Sequence, residues 1–427
     1  MTTTTRMLKT ALLAAATLAA GRADEVTDWN RIMLDALVSP PAVAAPLAPR
    51  PAAIVMAAVF DAVNGIERRY TPVHVPPAAP RGASQRAAAV QAAYSSLVRL
   101  FPAQAATFDA QRTVSLSGIA SGPGVEHSES IQRGIAWGQT VADAIWQWRS
   151  NDGFSNVPPP FTGGLEPGQW RPTPPASAPG LAPQMATMTP WVIASPAQFR
   201  PAGPNSLTSA RYVADLNETE SMGSATSLGR TPDQTLYVEF WASTGPPNFW
   251  DPVATRLSAE RHFTLSENAH LLALLNLALA DAIIGCWDAK YTYDSWRPIT
   301  AIRLADTDGN PDTTADTAWT PFVVTPPFPE YPSAHSCVSS AAGRILAAYF
   351  GEHAGFSVTS DGMPTVVRYF SSFSDALDEV KNARVFGGIH FRTACDDGQG
   401  LGNAVGDYVL RHALLRVHGL GDPRMQH

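Results

Sequence analysis

The chain has 427 residues, 45% of them hydrophobic and only 16% charged, with a net charge of −7 at pH 7. That balance excludes a disordered chain, which lacks the apolar surface to offset its ordering entropy, and argues against a nucleic-acid binder, which needs a basic face. Three cysteines exclude a disulfide-rich scaffold, and the length allows two or three modules with sizeable cores.

The N-terminus reads as an export signal over residues 1–23. Arg6 and Lys9 precede an almost unbroken run of small apolar residues from Ala11 to Ala20, and Gly21-Arg22-Ala23 offers a small-x-small cleavage site. The run is too short to span a bilayer, as is the apolar stretch 271–285, which Asn276 and Asp281 interrupt. The expectation is a soluble, exported protein without a membrane span, periplasmic or secreted.

Helical patterns follow at residues 52–66, after Pro51 at a first-turn position, and at 85–101, 105–116 and 128–149. They predict an N-terminal helical bundle over 24–150. Residues 157–204 are about a quarter proline yet hold Phe161, Trp170, Trp191 and Phe199. Such a stretch cannot run as helix and is too aromatic for a simple linker, so 151–257 reads as an ordered wrap and connecting segment. From 258 to 427 a second helical bundle is expected, with helices at 267–290, 336–349, 374–386 and 398–415. The first of these is apolar nearly all round, as a buried central helix should be. Strand-like alternation is scarce, so the fold class is all-α.

Three short stretches carry chemistry. In Lys290-Tyr-Thr-Tyr-Asp-Ser-Trp-Arg297-Pro298, two basic residues seven apart fall within about 20° of each other on a helix and can address one point. In Pro332-Ser333-Ala334-His335-Ser336, prolines stiffen the approach to a helix start, where a serine can cap and free N–H groups favour an anion. In Arg384-Val-Phe-Gly387-Gly388-Ile-His390, a regular helix would set Arg384 and His390 about 120° apart. They converge if the two glycines bend the chain or if they reach a ligand from different sides. A small, multiply charged oxyanion needs fixed cations and many donors when buried. Lys290, Arg297 and Arg384 supply the cations, and the two guanidinium forks can each grip two oxygens.

In order and spacing these stretches resemble the three-part signature Lys-x6-Arg-Pro, Pro-Ser-Gly-His and Arg-x5-His. It belongs to the vanadium-dependent haloperoxidases and the related type 2 phosphatidic acid phosphatases. The resemblance covers residues 267–415 and departs at one position, where the family glycine is Ala334. It implies an oxyanion site in the C-terminal bundle that takes vanadate or phosphate, with Lys290, Arg297, Ser333, the Ala334 N–H, Arg384 and His390 as its binders. It implies that His390 is the one protein ligand of vanadium, or the nucleophile that forms a phosphohistidine in a phosphatase. His335 is then the acid/base. Phe328 lies where chloroperoxidases of the family carry Phe, and Trp287 matches a Trp at their halide site. Hydrogen peroxide with a halide or organic substrate would be the reaction partners, and the oligomeric state stays open.

Asp306-Thr-Asp308-Gly309-Asn310-Pro-Asp312 has the look of a calcium loop but lacks the glutamate an EF-hand needs, and a solvated loop is the favoured reading. A zinc site from His390, Cys395 and Asp396 lacks a paired-ligand motif. A non-catalytic oxyanion-binding protein would explain the cations but not His335. Cys337 and Cys395 each lie close in sequence to a site histidine, so either a disulfide between them or two buried thiols is expected.

Overall fold

The computed structural model describes residues 24–417. The expected export signal therefore lies outside the described residues. Those residues form thirteen α-helices and one antiparallel β-hairpin.

The first helix, α1 (Glu25–Val38), opens on a reciprocal cap between Asp24 and Thr27. α2 (Pro49–Glu67), α3 (Gln85–Leu100), α4 (Ala105–Ser121) and α5 (Ser128–Arg149) follow, and α2, α3 and α5 pack on one another. Close approach of α5 to α3 depends on Gly138, where a Cβ would lie 2.4 Å from the Ala88 carbonyl oxygen.

The long helix α9 (Leu265–Tyr293) is buried over almost its whole surface. Its length and composition would suit a membrane span, but 94% of its apolar window is buried inside the protein. It extends further than the expected 267–290 because Thr264 and Glu267 cap its start reciprocally. On one side α9 packs against α2. On the other it meets α11 (Ala334–Phe350) and α13 (Arg392–His412). One apolar core therefore runs from Val26 to Leu414. α10 (Pro298–Arg303) and α12 (Phe373–Phe386) complete the second bundle, with a hairpin of β1 (Phe356–Thr359) and β2 (Val367–Phe370) between α11 and α12.

The segment 151–257 holds more helix than its composition suggests. α6 (Ala210–Gly223) and α7 (Pro232–Trp241) lie within it, and α8 (Pro246–Glu260) begins within it and runs past its end. In α7 and α8 the prolines sit in the first turn, where the missing N–H has no intrahelical partner to lose. Pro252 lies inside α8, which continues through it.

The proline-rich stretch before α6 lies on the helices. Trp170 is fully buried, and its backbone N–H donates to the Asp294 carbonyl at 2.7 Å. Asp281, on α9, accepts the N–H groups of Trp191, Val192 and Ile193 at 2.7, 2.8 and 2.9 Å. Asp61, on α2, clamps Val73, His74 and Val75 in the same way. Burial pushes both carboxyls up to about 6, against the pull of those donors.

The Asp306–Asp312 loop is mostly exposed, as a solvated loop should be, but Asp308 and Asn310 turn inward. Asp308 is buried, and its oxygens accept from the Asn310 N–H and the Thr313 hydroxyl. These are turn contacts, and among the described residues no group of three or more His, Cys, Asp or Glu is placed to hold a metal ion. The three cysteines are buried free thiols, so the bridge between Cys337 and Cys395 is absent. Cys337 lies instead beside Cys286, whose thiol also points towards the Pro332 carbonyl.

Candidate oxyanion site

Lys290 sits in the last turn of α9, fully buried. The helix stops at Asp294, whose left-handed φ of 49° turns the chain. Arg297 is consequently not on the same helix but at the N-cap of α10. The two cations converge through a turn, and the shared helical face expected from their spacing does not exist.

Both cations grip one strip of backbone. The Lys290 ammonium donates to the carbonyls of Pro329 and Glu330 at 2.8 and 2.9 Å. Arg297 Nε donates to the Phe328 carbonyl at 2.7 Å, and its Nη1 to the Ile389 carbonyl at 2.7 Å. The strip 328–330 leads directly into α11, whose N-cap is Ser333. The Ser333 hydroxyl makes no capping bond, so it is left for something else. Ala334 begins the helix with φ outside the left-handed region, so the methyl that replaces the family glycine strains nothing in the backbone.

Arg384 lies in the last turn of α12, and Gly387 ends that helix. Gly388 then takes φ +75°, where a Cβ would also meet the Gly223 carbonyl oxygen at 2.4 Å. The glycine pair ends the helix as one of the two sequence alternatives required, and His390 falls in the turn before α13. His390 Nδ1 lies 2.8 Å from Glu330 Oε1, and its Nε2 lies 3.3 Å from Arg297 Nη1.

Four polar atoms here are buried without a protein partner: Arg297 Nη2, Ser333 Oγ, His335 Nε2 and Arg384 Nε. Each such orphan costs roughly 1–3 kcal/mol, and four in one place fit an acceptor-rich group. Lys290, Arg297 and Arg384 against the single carboxylate of Glu330 leave a surplus of two positive charges when the histidines are neutral. A doubly charged oxyanion matches that surplus.

Burial dominates the electrostatics of these groups. Burial pushes Lys290 down to about 8, Arg297 to about 9 and Arg384 to about 10. Burial, reinforced by the neighbouring cations, holds His335 and His390 well below the ordinary histidine range. Glu330 is pushed up to about 7 by burial, while Lys290 pulls it the other way.

A cavity of about 270 Å³ opens onto the site. His335, Arg384, Ala334 and Phe328 reach its wall, and Pro46, Leu181, Ile283 and Val324 make much of the remainder apolar. Of the two histidines, His335 borders the cavity, while His390 is 2% exposed and lies behind. The Phe328 ring lies over both cations, 5.1 Å from Lys290 Nζ and 4.7 Å from Arg297 Cζ. Trp287 does not reach the cavity. It packs behind Phe328 at 4.9 Å between ring centres and donates its N–H to the Leu181 carbonyl.

Sequence reasoning missed Glu330 and the Trp241 carbonyl, which accepts from Arg384 Nη1 at 3.3 Å. The carbonyl has no sequence signal. Glu330 has one, as the only carboxylate between Pro326 and Ser336 in a proline-stiffened strip.

The family model for the VCPO second helical-bundle domain matches residues 270–419. Over nearly its whole length, 92%, the chain superposes on 98% of a structure described as the first bacterial vanadium-dependent iodoperoxidase, with a TM-score of 0.79 and 27% identity. Residues 270–419 thus match this helical-bundle domain, and the fold is that of solved vanadium-dependent haloperoxidases. The vanadium chloroperoxidase of Curvularia inaequalis is 26% identical over 276 residues, 49% of this chain and 44% of that protein. The chain thus matches less than half the length of that curated relative. A holo-type bacterial vanadium-dependent chloroperoxidase shares the fold at a TM-score of 0.69 and 18% identity, covering 93% of this chain and 99% of that one. Within this haloperoxidase fold, the three signature stretches lie inside the region of the domain match.

Proposed function

We propose that the protein is a vanadium-dependent haloperoxidase that oxidises halide with hydrogen peroxide at a vanadate held by His390. The observation that carries this reading is the cluster of unpartnered buried donors within the three signature stretches. Arg297 Nη2, Arg384 Nε and Ser333 Oγ are each without an acceptor in the protein. Their chemistry fits an oxyanion, and the neutral His390 ring offers Nε2 as a ligand atom.

Vanadate, when bound, supplies a Lewis-acidic centre that activates hydrogen peroxide towards halide. The chain's residues do the rest. Lys290, Arg297 and Arg384 balance the anion's charge, and Ser333 and the Ala334 N–H donate to its oxygens. His335, neutral and on the cavity wall, takes a proton from incoming peroxide at Nε2 and returns one later. Phe328 gives the cavity an apolar floor that weakens halide hydration. The apolar remainder of the cavity suits a small organic acceptor as an alternative substrate.

Phosphate presents the same oxygens, so an acid phosphatase working through a phosphohistidine on His390 would use the same donors. The deciding assay measures bromide and iodide oxidation by the apo-protein with peroxide, with and without orthovanadate, beside phosphate-ester hydrolysis. Vanadate-dependent halide oxidation that phosphate suppresses is the expected result. Ester hydrolysis alone would assign the phosphatase, and tight oxyanion binding without turnover would assign a carrier. The proposal includes export, on the pattern of residues 1–23. N-terminal sequencing of the protein from its source should begin after Ala23.

A further inference from the structure

Glu330 ties three parts of the site together. Its N–H donates to the Ser295 carbonyl at 2.9 Å, between the two cationic residues of the first stretch. Its own carbonyl accepts from Lys290. Its carboxylate Oε1 faces His390 Nδ1 at 2.8 Å and accepts the Phe391 N–H at 3.0 Å. The side chain is 1% exposed, an expensive place for a carboxylate unless it is needed there.

The geometry selects one form of the His390 ring. Arg297 Nη1 stands 3.3 Å from Nε2. A guanidinium can only donate, so Nε2 must be the acceptor and carry its lone pair. In a neutral imidazole the proton then sits on Nδ1, and the group facing Nδ1 is Glu330 Oε1. We infer that Glu330 is the positioning residue that holds His390 in the Nδ1–H form, and thereby makes Nε2 the atom presented to the bound oxyanion. A carboxylate behind a ligating histidine also fixes the ring plane and increases the basicity of the far nitrogen. The inference rests on the vanadate reading above and adds a residue to it.

The test uses the full-length apo-protein with 15N-labelled histidine. Two-dimensional NMR reads the His390 tautomer, and calorimetry reads orthovanadate and inorganic phosphate affinity, for wild type, Glu330→Gln and Glu330→Ala. Wild type should carry the proton on Nδ1. Glu330→Gln keeps an acceptor oxygen, so the tautomer should persist and vanadate affinity should stay within about 10-fold. Glu330→Ala removes the acceptor. The Nδ1–H form should cease to dominate, and affinity should fall by about 10- to 100-fold. A residue that merely supported the fold would leave the tautomer unchanged. Wild-type His390 protonated on Nε2, or Glu330→Ala with unchanged tautomer and affinity, overturns the inference while wild-type vanadate binding keeps the functional reading. Wild type that binds neither anion overturns both. If Glu330→Ala does not fold, the wild-type tautomer and its retention in Glu330→Gln decide the matter.

Discussion

Single residues in this site separate binding from turnover. Arg297→Ala or Arg384→Ala removes a buried donor aimed at the proposed ligand, so vanadate binding should weaken by a few kcal/mol. Calorimetric titration checks this, and unchanged affinity in both variants would remove the site assignment. The two histidines should fail differently. His390→Ala removes the ligand atom and should abolish vanadate binding. His335→Ala leaves Lys290, Arg297, Ser333, Arg384 and His390 in place, so vanadate should still bind while turnover collapses. Titration beside halide-oxidation rates reads both effects, and the reverse pattern would exchange the roles. The cations and histidines were legible in the sequence because such residues rarely recur at these spacings by accident. Glu330 was not recognised, because nothing local shows that a carboxylate between two prolines turns inward to meet a histidine 60 residues on.

At the scale of elements, the glycine pair after α12 is a structural requirement. Gly388 needs both its positive φ and its missing Cβ, which would otherwise collide with the Gly223 carbonyl. Gly388→Ala should cost roughly 1–3 kcal/mol of stability and disturb His390 two residues on. Denaturant unfolding should show the loss, and an undiminished midpoint would mean that the turn relaxes freely. A second element-scale prediction concerns the junction of α9, α11 and the C-terminal residues. His270 on α9 stacks on Tyr70 at 4.0 Å, bonds the Tyr349 hydroxyl through Nδ1, and donates from Nε2 to the Leu414 carbonyl at 2.9 Å. Burial lowers it from 6.5 to about 4, with Arg416 and Arg69 pushing the same way. The unfolded chain therefore binds the proton more readily between those values. The stability His270 contributes is full above about pH 6.5 and is lost as pH falls towards 4. Compared with His270→Gln, wild type should lose about 2 kcal/mol of its advantage between pH 7 and pH 5, measured by urea unfolding at each pH. A pH-independent difference would rule the titration out. Most helices were legible from their apolar spacing. α7 and α8 were not, because prolines in first turns look like breakers until the caps are noticed, and Thr231 with Gln234 was such a cap; α6 was hidden by its mostly polar sequence.

At the scale of the molecule, the two bundles meet along α2 and α9, and the chain closes on itself where Thr71 donates to the Leu415 carbonyl and Val417 to the Arg69 carbonyl. The all-α class followed from composition and periodicity, whereas the joint between bundles depends on contacts too distant in sequence for either to reveal. The grip of Lys290 and Arg297 on the carbonyls of residues 328–330 and 389 has a thermodynamic consequence. The positive charges are already anchored before any anion arrives, so the receptor is built in advance and association has little left to order. Calorimetry across a range of temperatures should then give an orthovanadate binding enthalpy that scarcely changes, that is, a heat-capacity change close to zero. A strongly negative slope would reveal that chain segments fold around the anion. With the small slope, the holo-protein should release and reacquire its anion repeatedly without passing through an unfolded form.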